Sequence, residues 1–334
     1  MSKKLKIGVI GTGRIGKLHT NNIVKNFTNV EIKAIADVYA DQAKDWAASL
    51  GITEVYNDYK KIMNDPEIDA VLICSSTDTH SQFTIEAANA GKHVFCEKPI
   101  DLDVERIKAT LDAVKKAGVK LQVGFNRRFD HNFKKIAEMV KDGKVGDVHI
   151  VKVTSRDPEP PPVEYIKVSG GIFLDMTIHD FDMACYLSGS EVVEVYANAG
   201  VMIDPAIGEA GDVDTAIVTL KFANGAIGVI DNSRKAAYGY DQRVEVFGTK
   251  GCLEAKNDTP TNVVYSNEES VSTDKPKYFF LERYTGSFIE EMGLFFDSII
   301  NDTEPPVSGI DGLNAVLVGM AAKKSYEEKR PVKL

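Results

Sequence analysis

The sequence predicts an α/β chain: a doubly wound parallel sheet first, then an α+β domain with an open, mostly antiparallel sheet. Three observations carry this. A glycine turn, Gly11-Thr12-Gly13-Arg14-Ile15-Gly16, directly follows the apolar run Leu5 to Ile10. Short apolar runs then alternate with helical stretches as far as Phe125, the pattern of parallel strands joined by helical crossovers. Beyond Phe125, strand-like segments follow one another, and Asn224-Gly225 between two of them is a strong hairpin signal. A 1–125 unit and a 126–334 unit are expected.

Leu5 to Ile10 reads as strand, the stretch after the glycines to about Lys25 as helix, and Glu31 to Ala36 as a second strand ending in Asp37. This is the dinucleotide fingerprint of a Rossmann domain in its proper context. Gly11 permits the tight turn, Gly13 lets a pyrophosphate approach the backbone, and Gly16 lets helix pack close to strand. The helix N-terminus offers unpaired N–H groups to the phosphates. Asp37 stands 21 residues after Gly16, and Val38-Tyr39 follow it with no arginine. A carboxylate there accepts hydrogen bonds from the adenosine ribose and repels a 2′-phosphate, so NAD is favoured over NADP.

The alternation continues with strands at Asp69–Ser75, Lys92–Cys96 and Lys120–Phe125 and helices at Thr79–Ala90 and Val104–Ala117. Ligands bind such sheets beyond the carboxyl ends of the strands, which puts Ser75 to His80 and Glu97 to Pro99 beside the glycines. In the second part, strands are expected at 148–154, 192–200, 214–222, 226–232, 243–248 and 251–255, and helices at 287–301 and 309–329. Thr215, Ile217, Thr219 and Lys221 alternate with Ala216, Val218, Leu220 and Phe222, so one sheet face is the more polar. The run Asp157 to Pro162 (DPEPPP) is a stiff loop, because prolines cannot donate to a central ladder.

The net charge is −9 with both signs interspersed and no basic stripe, which argues against nucleic-acid binding. No run of ~18 apolar residues suggests a membrane span, and MSKKLKIGVIG does not read as a signal peptide. Cys74, Cys96, Cys185 and Cys252 are scattered, with no C-x-x-C. They read as thiols in a reducing, cytoplasmic compartment, and no metal site is expected.

Two stretches carry candidate chemistry. In Cys96-Glu97-Lys98-Pro99, a lysine at the carboxyl end of a parallel strand can stabilise a developing alkoxide beside a nicotinamide; the alternative is a surface lysine before a helix. In Gly170 to Asp182 (GGIFLDMTIHDFD), read as one helix, Leu174, Ile178, Phe181 and Cys185 form an apolar stripe. Asp175, His179, Asp182 and Tyr186 form a polar one. Asp175 and His179, four apart, can meet, and a carboxylate beside an imidazole suits a general base. The alternative is a helix-terminal acid and a packed histidine. No H-E-x-x-H, H-x-x-E-H or G-x-S-x-G pattern exists.

The strings GVIGTGRIGKLH, EKP and GGIFLDMTIHDFD together resemble the glucose-fructose oxidoreductase / inositol dehydrogenase / rhizopine catabolism family, over nearly the whole chain. Ser155-Arg156-Asp157-Pro158 and DMTIHDFD are most similar to its NAD-dependent inositol-oxidising branch. The resemblance implies hydride transfer from a cyclic polyol, myo-inositol giving its 2-ketone. It implies Lys98 bridging cofactor and substrate with a cis Lys98–Pro99 bond, and Asp175 and His179 completing the catalytic set, His179 as proton acceptor. The NAD contacts implied are Gly11, Gly13, Arg14, Ile15, Gly16, Asp37, Ser75, Thr77, His80, Glu97 and Lys98. The polyol contacts implied are Asn126, Arg127 or Arg128, Asp157, Asp175, His179, and Tyr238 or Tyr240. A homotetramer is the family's habit. Rival readings are a dehydrogenase of scyllo-inositol or an aldohexose with the same mechanism, and a non-catalytic NAD-binding sensor.

Overall fold

The apolar runs of the first part become one parallel sheet in the computed structural model, which describes residues 4–334. Met1, Ser2 and Lys3, part of the segment read above as no signal peptide, lie outside the described residues. Strands β1 (Leu5–Ile10), β2 (Val30–Ala36), β3 (Glu54–Tyr56), β4 (Ala70–Ile73), β5 (His93–Cys96) and β6 (Leu121–Val123) run in the order β3-β2-β1-β4-β5-β6. The order reverses at β1, where a doubly wound sheet opens its binding crevice. All four residues of β4 are buried, as in a strand covered on both faces.

The crossovers are α1 (Arg14–Asn26), α2 (Ala40–Ser49), α3 (Lys60–Met63), α4 (Thr77–Asn89) and α5 (Val104–Ala117). Helix α5 shows how local sequence sets the ends. Asp103 caps its N-terminus by accepting from the N–H groups of Glu105 and Arg106, and Gly118 ends it in the left-handed region at φ 67°.

After the 3₁₀ turn Asn126–Phe129 come α6 (His131–Lys141), β7 (Val148–Arg156), α7 (Val163–Ser169), α8 (Gly171–Asp175), α9 (Ile178–Ser188), β8 (Val192–Gly200), α10 (Pro205–Glu209), β9 (Thr215–Phe222), β10 (Ile227–Ser233), β11 (Asp241–Gly248) and β12 (Gly251–Ala255). A ribbon of β13 (Val264–Ser266) and β14 (Val271–Thr273) precedes α11 (Phe280–Arg283), α12 (Thr285–Ile300), α13 (Gly309–Glu328) and β15 (Val332–Lys333). The large sheet has the order β12-β11-β7-β10-β9-β8-β15. Its pairs are antiparallel except β7 with β10. The alternation read in β9 holds: Ala216, Val218, Leu220 and Phe222 are buried, while Ile217, Thr219 and Lys221 are exposed.

The compact units are not separated by a single cut at 125/126. One comprises Met1–Asn126 and Gly286–Asn314, the other Arg127–Thr285 and Ala315–Leu334. Helix α12, read from sequence as part of the second domain, belongs to the first because Met292, Phe295 and Phe296 fill the same core as Ile7, Ile23 and Phe95.

A second difference concerns 170–182, expected as one helix. Gly170 and Gly171 both take positive φ, and the helical path is interrupted between Asp175 and Ile178. The Thr177 hydroxyl donates to Asn232 Oδ1 of β10 at 2.7 Å. Asp180 N–H reaches back three residues to the Thr177 carbonyl at 2.8 Å. The tertiary bond to β10 overrides helix continuity, so Asp175 and His179 sit on two short helices.

Candidate active site

In the first unit the three glycines each do a different job. Gly11 has φ +95°, and a Cβ on it would lie 2.6 Å from the Cys74 carbonyl. A Cβ on Gly16 would lie 2.0 Å from the Gly11 carbonyl oxygen, whereas one on Gly13 would meet nothing within 4 Å. Gly11 makes the turn, Gly16 the close packing, and Gly13 leaves open space where a pyrophosphate would approach. Arg14 and Ile15 open α1.

Asp37 closes this loop from β2. Its Oδ2 accepts from Thr12 N–H at 2.6 Å and from the Thr12 hydroxyl at 2.7 Å; its Oδ1 accepts from Tyr39 N–H at 2.8 Å. Burial pushes this carboxyl up, but the bonds from Tyr39 and Thr12 outweigh it and hold it below its ordinary range, so it stays charged. The open cradle at Gly13 and the ionised acid at the end of β2 fit a dinucleotide without a 2′-phosphate.

The β4–α4 and β5 loops are tied together by His80. Its Nδ1 faces the Pro99 carbonyl at 2.8 Å and its Nε2 the Ser75 carbonyl at 3.1 Å. The ring is buried and committed to holding these loops. Ser75 shares a 2.7 Å hydroxyl contact with Thr79, and Thr77 begins α4. The Lys98–Pro99 bond is cis, and Lys98 is half-buried after β5.

Sequence reasoning gave Glu97 no partner within the protein, yet its Oε1 lies 2.9 Å from Nε2 of the buried His19. A Cβ on Gly124 would come within 2.9 Å of Glu97 Oε2, so that glycine leaves the carboxylate its room. Glu291 of α12 is fully buried; burial, and then the neighbouring Glu97, push its carboxyl well above the ordinary range. The histidine of GKLH was visible in the sequence, but nothing local marked Glu291 as its neighbour's companion.

In the second unit the structure separates pairs that the sequence left open. Arg127 is buried: its Nη1 donates to Asp180 Oδ1 at 2.5 Å, and its Nη2 donates to Tyr240 Oη at 3.4 Å and Ser155 Oγ at 3.3 Å. Arg128 instead donates to Asp182 at 2.6 Å and lies over the Tyr186 ring. The expected polar stripe therefore divides: Asp182 and Tyr186 hold Arg128. Tyr240 is buried beside Arg127, whereas Tyr238 is 41% exposed. The Tyr238 hydroxyl donates to Asp241 at 2.6 Å and accepts from Arg156 at 3.1 Å. Tyr240, not Tyr238, shares the interior with Arg127. Asn126, which belongs to the first unit, is buried with an unpartnered Nδ2.

Asp157 stands where β7 runs into the proline loop. Burial pushes its carboxyl up to about 6; Arg234 and Arg127 pull the other way, and Asp175 and Asp180 add to the rise. Asp175 accepts from the Tyr165 hydroxyl at 2.8 Å on Oδ1, and its Oδ2 lies 3.6 Å from Arg234 Nη1. His179 is half-buried at the start of α9. Asn232 donates to Asp180 Oδ2 at 2.8 Å, and Gln242 to Ser155 at 3.1 Å. Asn232 could have been found from its place on the inward register of β10, where an amide interrupts Gly228 and Ile230. Among the described residues no cluster of three or more metal-ligating side chains forms, and no helix is long and apolar enough to cross a membrane.

Two family models match the chain. Residues 5–125 match the model "Oxidoreductase family, NAD-binding Rossmann fold", and residues 133–254 match "GFO/IDH/MocA C-terminal domain". The chain is 53% identical to a myo-inositol 2-dehydrogenase of Thermotoga maritima over 99% of this chain and 98% of that one. It is 45% identical to an inositol 2-dehydrogenase of Rhizobium meliloti, covering 99% of each chain. A crystal structure of scyllo-inositol dehydrogenase from Lactobacillus casei with bound NAD(H) and scyllo-inositol superposes with a TM-score of 0.92 at 33% identity, covering 99% of each chain. The chain belongs to the GFO/IDH/MocA family of NAD-dependent oxidoreductases.

Proposed function

We infer that this protein oxidises one secondary hydroxyl of a cyclic polyol to a ketone, myo-inositol to 2-keto-myo-inositol, with NAD as acceptor. The observation that carries this reading is the buried polar lining around Arg127, Asp157, Asp180 and Tyr240, joined in sequence to the Asp175/His179 pair. A substrate with a hydroxyl on every carbon needs such a density of fixed donors and acceptors. The naming of the Thermotoga maritima and Rhizobium meliloti relatives supports the same substrate.

His179 takes the hydroxyl proton. Asp175, steadied by Tyr165 and Arg234, fixes the imidazole tautomer and shares the charge it gains. Lys98 stabilises alkoxide character as the C–O bond shortens. Gly11, Gly13, Arg14, Ile15, Gly16, Asp37, Ser75, Thr77 and Glu97 hold the dinucleotide, and His80 sets the loops around it. NAD, when bound, accepts the hydride. Arg127, Asp157, Asn126 and Tyr240 pair with the remaining hydroxyls.

The open sheet face carries Ile217, Ile227 and Phe247, 43%, 52% and 43% exposed. We assign to it the contact that builds a homotetramer, which light scattering on the wild type and Ile227→Glu reads directly. A cytoplasmic location goes with this reading.

The test is NADH formation from myo-inositol, scyllo-inositol and glucose, each with NAD and with NADP, for wild type, Lys98→Ala and His179→Ala. NAD-dependent turnover of myo-inositol, lost in both variants, is expected. Turnover of scyllo-inositol alone keeps the mechanism and replaces the substrate. Tight NAD binding without turnover of any polyol overturns the reading.

A further inference from the structure

The second unit holds a cation that the reaction scheme above uses only in passing. Arg234 follows β10 and is 1% exposed, one of the largest fully buried side chains of the chain. Its backbone N–H is fixed to the Asp214 carbonyl at 2.8 Å. Its guanidinium lies between two carboxylates: Nη1 is 3.6 Å from Asp175 Oδ2, and Nη2 is 3.6 Å from Asp212 Oδ2. Neither contact closes to hydrogen-bond length. Nε, Nη2 and Asp212 Oδ2 are all buried without a hydrogen-bond partner.

A buried ion pair held this loosely is a poor stabiliser, because desolvating the ions offsets much of their attraction. The surroundings are nonetheless built to keep it. Asp212 Oδ1 accepts from Ile172 N–H at 3.0 Å. A Cβ on Gly171, which has φ +79°, would press to 2.7 Å from that same oxygen. The Asp212 carboxylate is thus anchored at the start of α8, the short helix that ends in Asp175. On the other side Asp175 is held by Tyr165. Arg234 also faces Asp157, together with Arg127, Asp175 and Asp180. One enclosed cation is therefore shared by Asp175, proposed above to steady His179, by Asp157, proposed above to meet the polyol, and by Asp212, which has neither role.

We propose that Arg234 is a positioning residue of the oxidation, acting through Asp175 and Asp157, with Asp212 as the counter-ion that sets how much of its charge reaches them. The guanidinium is committed to the two carboxylates on either side of it. It acts by raising the local positive potential, which favours the ionised form of Asp157 and holds the Asp175 carboxylate from the side opposite Tyr165. This rests on the assignment of His179 as proton acceptor.

The two sides of the pair give opposite signs. Removing the cation in Arg234→Met raises the proton affinity of the groups it faces, so the acid limb of kcat/KM moves to higher pH. Neutralising the outer partner in Asp212→Asn keeps an acceptor for Ile172 N–H and releases the cation toward Asp175 and Asp157, so the limb moves to lower pH. Arg234→Lys keeps the charge and restores the limb toward the wild-type position. At pH 7 Arg234→Met is expected to lose about 100-fold in kcat, with NAD affinity unchanged, since the NAD-binding residues lie in the other unit.

The experiment is the pH profile of kcat/KM for myo-inositol in wild type, Arg234→Met, Arg234→Lys, Asp212→Asn and His179→Ala, with circular dichroism and NAD titration on each. Opposite shifts in Arg234→Met and Asp212→Asn, with rescue by lysine, support the proposal. Limbs that stay in place while only amplitude falls, or shifts of the same sign, overturn it. If Arg234→Met does not fold, the direction of the Asp212→Asn shift decides. An unimpaired His179→Ala overturns the proton-acceptor reading; an inactive His179→Ala beside unshifted Arg234 and Asp212 variants overturns this inference alone.

Discussion

Asp157 is a carboxylate that the fold keeps at an energetic disadvantage, and Asp157→Asn exposes the size of that disadvantage. Burial raises its pKa from the ordinary 3.8 to about 6, against the pull of Arg234 and Arg127. At ~1.36 kcal/mol for each tenfold change in proton affinity, this amounts to about 3 kcal/mol. The folded chain binds this proton more tightly than the unfolded chain does. Between about pH 4 and 6 the folded state therefore carries more protons, and stability falls as pH rises through that window. Above it the whole penalty is present; below it none is. Asparagine has the same shape and no charge, so Asp157→Asn should be more stable than wild type by about 3 kcal/mol at pH 8 and nearly equal to it at pH 4. Denaturant titrations at pH 4, 5, 6, 7 and 8 measure the difference, and turnover of myo-inositol, expected to fall at least tenfold, is followed beside them. A stability difference that does not change with pH, or a variant less stable than wild type at pH 8, refutes the reasoning.

Gly11→Ala forces a side chain into φ +95° and against the Cys74 carbonyl; NAD binding by calorimetry should be lost, with destabilisation of more than the ~1–2 kcal/mol of the left-handed conformation alone. Asp37→Ser removes the charge that repels a 2′-phosphate together with the bonds that order Thr12; KM for NAD should rise about tenfold or more while NADP turnover appears, from the ~1.5–3 kcal/mol of a charge-assisted hydrogen bond. Arg127→Met strands the fully buried Asp180 carboxylate and should cost about 3–5 kcal/mol in denaturant unfolding. Much of that loss should return when Asp180→Asn is added.

The first unit was legible because its chemistry is local. Gly11, Gly13 and Gly16 do their work within one turn, and Asp37 reaches that turn from the neighbouring strand β2. Periodicity placed β1, β2, β4, β5 and β6 within two or three residues of where they lie. What escaped was tertiary. Nothing near Glu97 in sequence announces His19, 78 residues away, or Glu291. The reading of 170–182 as one helix failed because its decisive bond, Thr177 to Asn232, joins residues 55 apart. The choice between Arg127 and Arg128 was closed to sequence for the same reason: their acids, Asp180 and Asp182, lie two residues apart on α9, and only the fold says which faces inward to Ser155 and Tyr240.

The proposed polyol substrate accounts for the polar interior of the second unit. Arg127, Arg234, Asp180, Asn232 and Gln242 are all buried, where apolar side chains of similar volume would commonly serve stability as well or better. Their retention makes sense if the ligand is a ring whose faces differ only in the direction of its hydroxyls. An apolar wall distinguishes such epimers poorly, because they have nearly the same area and volume. A wall of fixed donors and acceptors distinguishes them well, because one inverted hydroxyl leaves a buried partner unsatisfied at about 1–3 kcal/mol. Fixing those groups requires that they already be hydrogen-bonded to one another before substrate arrives, as Arg127 is to Asp180 and Asp180 to Asn232. Burial makes the Asp157 charge unfavourable in the free protein, Asp175 and Asp180 adding to the rise against the pull of Arg234 and Arg127. A polyol hydroxyl donated to Asp157 would stabilise the ionised form and bring its pKa back down. Saturating myo-inositol should therefore lower the pH at which Asp157 titrates, and an epimer that cannot reach it should leave that pH where it was.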